Sequence, residues 1–155
     1  NVLSNWDWVE ALIASIPVAI LVMLIVWINQ FQDAPSDAAV GKNTWVVRTA
    51  EQGEWMKLEK PMRLYKQFMI EAFIAVALIG ALSFFTDFGT IYAFIALLPL
   101  ALVWKAFKMA DEWMVKWNNP EADRQKVPYE LLLVNVSTIG IHFLTSILLT
   151  VAYIL

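Results

Sequence analysis

The chain has 155 residues, of which 60% are apolar and 16% charged, with no cysteine and a formal net charge of −3. Soluble domains run nearer half apolar and a quarter charged, so with a mean hydropathy of +0.61 water is the wrong solvent for this sequence. Disulfide and thiol chemistry are excluded, and no basic block has the density or aromatic spacing of a nucleic-acid surface.

Taken in order, the chain opens Asn1-Val-Leu-Ser-Asn-Trp6, without an initiator Met or a basic region ahead of an apolar core. This is not a secretory signal, and it reads as the middle of a longer polypeptide. Trp6 and Trp8 suit an aromatic belt at a membrane boundary. A first span is expected at 9–28, with a kink at Pro17. Three more follow at 68–85, 90–107 and 131–155. The third is short until Lys105 is allowed to snorkel, and it carries a second kink at Pro99. Each is long enough for a hydrocarbon core of about 30 Å at roughly 1.5 Å per residue. A soluble four-helix bundle would need a polar stripe on every helix, and 16–28 and 72–82 offer almost none. The predicted fold is therefore all-α: one polytopic membrane domain over 1–155, with four transmembrane helices and interfacial helical segments in the connecting loops.

All eleven Lys and Arg residues lie between spans one and two, or flank and separate spans three and four. In a four-span topology these segments share one side. The positive-inside rule makes that side cytoplasmic and puts both ends of the chain outside. Within the first basic segment, 51–67 mixes Trp55, Met56, Leu58, Met62, Leu64 and Tyr65 with four basic residues. This predicts a helix lying among lipid headgroups, broken or restarted at Pro61. Trp113 and Trp117 read as another aromatic belt. Inside span four, Asn135, Thr138, His142 and Thr145 are polar groups that lipid obliges to find partners on neighbouring helices. Gly80, Gly89 and Gly140 are positions for close helix contact.

The most informative stretch runs from Asn29 to Arg48, where the first apolar segment ends. Asn29, Asp33 and Asp37 are spaced i, i+4, i+8 and share one face of a continuing helix. Like charges at that spacing cost about 0.2–0.5 kcal/mol unless neutralised. Mg²⁺ would neutralise them, since it takes oxygen ligands and is commonly held by one or two carboxylates plus substrate phosphates. Lys42 and Arg48 add charge-assisted donors for those phosphates. A bare pair of acids at this spacing is also what a solvated turn capping the span would show.

The full string Ile28-Asn29-Gln30-Phe31-Gln32-Asp33, Asp37, Gly41-Lys42, Thr44 and Val46-Val47-Arg48 resembles the second aspartate-rich motif of the UbiA superfamily of intramembrane prenyltransferases. It is closest to the branch that prenylates dihydroxynaphthoate in menaquinone synthesis, whose motif reads Asn-x3-Asp-x3-Asp-x3-Gly-Lys-x-Thr followed by Val-Arg. The resemblance implies that 1–155 corresponds to helices six to nine of a nine-helix fold in a bacterial or archaeal cytoplasmic membrane. It implies that Asp33 and Asp37 bind Mg²⁺, and that Asn29, Lys42 and Arg48 bind the diphosphate of a polyprenyl diphosphate. The prenyl group is then transferred to an aromatic acceptor. The family's first acidic motif is not in this sequence, so an N-terminal half or another membrane chain is expected to complete the enzyme. Three departures stand out: Pro35 interrupts the Asp33–Asp37 turn, Arg48-Thr49-Ala50 replaces Arg-Leu-Gly, and the basic, Trp-containing segment is longer. A second expectation is a truncated, non-catalytic structural subunit of a larger membrane complex. A channel is disfavoured because no span carries a charged pathway.

Overall fold

A computed structural model describes residues 7–53 and 55–155; Trp6 lies outside the described residues. Among the described residues there are five α-helices: α1 (Asp7–Ala39), α2 (Trp45–Thr49), α3 (Glu59–Leu82), α4 (Leu100–Trp117) and α5 (Leu132–Ile154). Two 3₁₀ helices, Ile91–Leu97 and Val127–Leu131, lead into α4 and α5. Together they give four helical segments long and apolar enough to cross a membrane: Trp8–Ala39, Glu59–Leu82, Ile91–Trp117 and Val127–Ile154. Only 28–39% of the most apolar window in each is buried within the bundle. The rest presents residues such as Val22, Val26, Ile74, Leu98 and Phe143 outward, an arrangement suited to lipid rather than water. The chain is an all-α polytopic membrane protein.

The helices overrun the apolar stretches that announce them. α1 continues through Pro35 to Ala39, so the expected interruption there does not occur. The ring removes one backbone donor, but Ala34 and Asp37 on either side are buried and hold the last turn in place. α3 begins at Glu59 and takes in Pro61 within its first turn, where a missing N–H costs nothing. Consequently 51–67 is not one helix lying on the membrane. At its start the chain doubles back, with Glu51 and Lys57 paired through both backbone N–H groups, and the remainder belongs to a spanning helix. Pro99 likewise marks the change from 3₁₀ to α geometry ahead of α4.

α1 packs against α3 and α5, and the larger core lies toward the end that carries the basic segments. At that end the two connecting segments are locked together. Trp55 Nε1 donates to the Trp117 carbonyl (3.2 Å), and Trp117 Nε1 donates to the Met56 carbonyl (2.8 Å). Trp113 Nε1 donates to the Val127 carbonyl (2.7 Å), and the Arg124 guanidinium lies 4.2 Å from the Trp55 ring centroid. Trp113 and Trp117 are thus interior residues rather than a belt, because each indole N–H is spent on a loop carbonyl inside the protein. Trp8, by contrast, is exposed at the opposite end. There Gly89 has φ of +81°, and a Cβ on it would fall 2.3 Å from the Ile79 carbonyl oxygen. Gly80 admits the Phe94 ring, whereas Gly140 faces open space and mediates no close contact.

Candidate functional site

The last three turns of α1 carry Asn29, Asp33 and Asp37, and the helix then stops in a defined way. Gly41 N–H donates to the Ala38 carbonyl (3.0 Å) and Lys42 N–H to the Asp37 carbonyl (2.8 Å), with Gly41 at φ +73°. This is the paired closure that a left-handed glycine allows just past a helix end. It turns the chain so that Lys42 Nζ reaches Asp37 Oδ1 at 3.0 Å. α2 then starts with two caps: Thr44 Oγ1 accepts from Val47 N–H (3.4 Å), and Gln30 Oε1 on α1 accepts from Val46 N–H (3.2 Å). Buried Val46 and Val47 seat α2 on the bundle.

The three candidate ligands differ in setting. Asn29 and Asp33 are exposed, on the flank of α1 opposite its buried Trp27, Phe31 and Ala34. Asp37 is only 8% exposed and is the member that pairs with Lys42. Asn29 Oδ1 accepts from Asn135 Nδ2 of α5 at 2.8 Å, while Asn135 Oδ1, in a residue just 4% exposed, has no partner. Asp33 makes no side-chain hydrogen bond or ion pair among the described residues.

Electrostatics give this arrangement its meaning. Two carboxylates occupy the closing turns of a long helix, where the helix dipole contributes roughly half a negative charge. Stability alone favours cations there. Lys42 answers one of the two acids and leaves Asp33 unanswered. Among the described residues no three His, Cys, Asp or Glu side chains converge as a self-sufficient metal site. Asn29 lies about 12 Å from Asp37 along the helix axis, too far to share an ion with it, but the Asp33 and Asp37 carboxylates are hard oxygen donors one turn apart. Such a partial set fits Mg²⁺, whose remaining positions are filled by water and substrate phosphate.

Arg48 stands apart from this group. It is exposed on α2 and borders a groove with Met23, Trp27, Trp45, Thr49 and Phe68. At about 100° per residue, Met23 and Trp27 lie roughly 120° around α1 from Asn29 and Asp33. No ion pair among the described residues joins Arg48 to either aspartate. The structure therefore brings Asn29, Asp33, Asp37 and Lys42 to one helix end and places Arg48 on another flank.

Two contributors were not assigned to the site from sequence. Gln30 lies inside the motif but anchors α2, a role visible only once the chain doubles back. Asn135 is a polar residue in an apolar span, which signals a partner without naming it. Of the other polar residues of α5, Thr138 meets Tyr65 across the core at 2.6 Å. His142 is half-buried without a hydrogen bond among the described residues.

No protein-family model matches the chain, and neither curated proteins nor solved structures give a match.

Proposed function

We propose that this chain supplies the cation- and diphosphate-holding end of an intramembrane prenyltransferase. In this reading the basic end, carrying Asn29–Lys42, faces the cytoplasm, an orientation that the distribution of Lys and Arg supports. The observation that carries the reading is the placement of Asn29, Asp33 and Asp37 on successive turns of an unbroken α1, with Lys42 folded back onto Asp37 at 3.0 Å. The resemblance of residues 28–48 to the UbiA motif supports the same assignment.

In this account Asp33 and Asp37 would hold Mg²⁺, with Asn29, fixed by Asn135, on the turn before them. A bound Mg²⁺ would stabilise the negative charge that develops on a departing diphosphate. Lys42 is the mobile donor: it neutralises Asp37 until a diphosphate offers more oxygens, then serves that anion instead. The allylic C–O bond breaks with both electrons leaving on the diphosphate. An electron-rich aromatic carbon attacks the resulting cation, and the ring loses a proton. Apolar surfaces of the spans keep water from capturing the cation. On the same reading, the family's first acidic motif, which residues 1–155 do not contain, and the aromatic acceptor's pocket would be supplied by another polypeptide segment.

The Asp37–Lys42 pair also favours a second reading, a non-catalytic subunit in which a former cation site is closed by its own lysine. The two separate in native membranes carrying the chain, assayed for prenyl transfer to a dihydroxynaphthoate acceptor. The enzymatic reading predicts that Asp33→Ala abolishes transfer, while the structural reading predicts that transfer is unchanged.

A further inference from the structure

The Arg48 groove has no part in the proposed ion site, and its construction points elsewhere. It encloses about 360 Å³ between Met23 and Trp27 of α1, Trp45, Arg48 and Thr49 of α2, and Phe68 of α3. Its aromatic wall is built rather than incidental. The Trp27 ring lies 5.8 Å from Trp45 and 5.9 Å edge-on from Phe68, and its Nε1 donates to the buried Pro61 carbonyl at 3.2 Å. Trp27 stands in the last turn of the apolar part of α1, two residues before the polar run begins at Asn29. The groove thus straddles the level where hydrocarbon gives way to headgroups, which is where amphipathic indoles settle.

Charge decides the occupant. Arg48 is exposed and makes no hydrogen bond or ion pair through its side chain among the described residues, and no carboxylate lines the groove. The groove between α3 and α4 makes the contrast. It holds Arg63 and Lys66 but also Glu59 and Asp111, and Lys66 pairs with Asp111. Arg63 likewise lacks a side-chain partner among the described residues, but it shares its groove with two carboxylates. The Arg48 groove instead sets an unanswered guanidinium above an aromatic and aliphatic floor with no acid in its lining. A guanidinium matches phosphate with two parallel donors, and the floor below requires that the phosphate carry an apolar body.

We infer that this groove seats an anionic bilayer phospholipid, its phosphate on Arg48 and its acyl chain running over Trp27, Phe68 and Met23. Bound there, the lipid bridges α1, α2 and α3 and pins the short α2 against the bundle.

The test is native mass spectrometry of the full chain released from nanodiscs of equal phosphatidylglycerol and phosphatidylcholine, with melting temperature followed in parallel. Wild type should retain phosphatidylglycerol preferentially. Arg48→Gln should lower that retention about 5-fold, the effect of one basic residue at an anionic surface, with melting in phosphatidylcholine alone unchanged. Arg48→Lys should keep part of it, which separates loss of charge from loss of fold. Arg63→Gln should match wild type, and excess inorganic pyrophosphate should not displace the lipid. Equal retention in wild type and Arg48→Gln would overturn the inference. So would displacement by pyrophosphate, which would make the groove a site for free phosphate.

Discussion

Asn135 Nδ2 donates to Asn29 Oδ1 at 2.8 Å, joining the start of the Asn29–Lys42 run to a helix more than a hundred positions away in the chain. A polar link between spans in lipid is worth about 0.6 kcal/mol on average and under about 2 kcal/mol at most. Asn135→Leu is expected to destabilise the protein by about 1 kcal/mol. A double-mutant cycle with Asn29→Ala should recover most of that as coupling. Additive effects of the two substitutions would show that the pair contributes nothing to stability.

At the helix end the two halves of the Asp37–Lys42 pair are not equivalent. The Asp37 side chain is 11% exposed and the Lys42 side chain 63% exposed, so most of the lysine's attraction is screened by solvent. Removing the lysine strands a nearly buried carboxylate, whereas removing the carboxylate's charge strands nothing. Lys42→Ala should therefore cost about 1 kcal/mol, and Asp37→Asn should be neutral or slightly stabilising. Thermal melts of the two variants in one lipid composition check the order.

In the core, the Thr138 hydroxyl donates to the Val134 carbonyl at 2.8 Å, so the hydrogen in the 2.6 Å contact with Tyr65 comes from the tyrosine. Tyr65→Phe then leaves the Thr138 oxygen with a donor role still satisfied. It should cost about 1 kcal/mol. Thr138→Val, which orphans the phenol, should cost at least as much. Chemical denaturation in mixed micelles measures both.

The two glycines with positive φ make a matched pair. Gly41 has open space where a Cβ would go, while a Cβ on Gly89 would collide with the Ile79 backbone oxygen at 2.3 Å. Gly41→Ala pays only the left-handed conformation, about 1–2 kcal/mol. Gly89→Ala must also move the backbone of α3, and it should lower the melting temperature considerably more. Equal shifts would mean that the α3 turn yields freely.

Asp123, in the segment before the Val127–Leu131 turn, is held below the usual carboxylate range. The Gln125 backbone N–H donates to it at 3.0 Å and, with Lys126 beside it, outweighs the opposing effect of desolvation. A depressed native pKa means stability present above about pH 3.9, the ordinary aspartate value, and lost as pH falls through the lower native value. Melting temperatures of wild type and Asp123→Asn should therefore converge as the pH is lowered toward 3.

Much of this was legible in the sequence, for identifiable reasons. Long uncharged runs locate spans because lipid leaves the backbone no option but helix. The i, i+4, i+8 spacing of Asn29, Asp33 and Asp37 likewise anticipated successive turns of one continuous helix. What the runs cannot give is where a helix ends. Apolar count measures depth in the bilayer, while α1 reaches Ala39 and α3 starts at Glu59 because buried Asp37 and Met62 carry helical packing beyond the hydrocarbon. Trp113 and Trp117 looked like belt residues because composition does not record that a loop returns over them. Arg48 read as part of the ion cluster because it is close in sequence, and the turn at Gly41 takes α2 to a different flank.

The central claim is that Asp33 and Asp37 hold a divalent cation for a prenyl diphosphate. Calorimetric titration of the nanodisc-embedded protein with farnesyl diphosphate tests it most directly. The account predicts binding that requires Mg²⁺, disappears in chelator, weakens at least about 10-fold (1.4 kcal/mol) in Asp33→Ala, and is unaffected by Arg48→Gln. Binding of equal strength in chelator, or in Asp33→Ala, would contradict it.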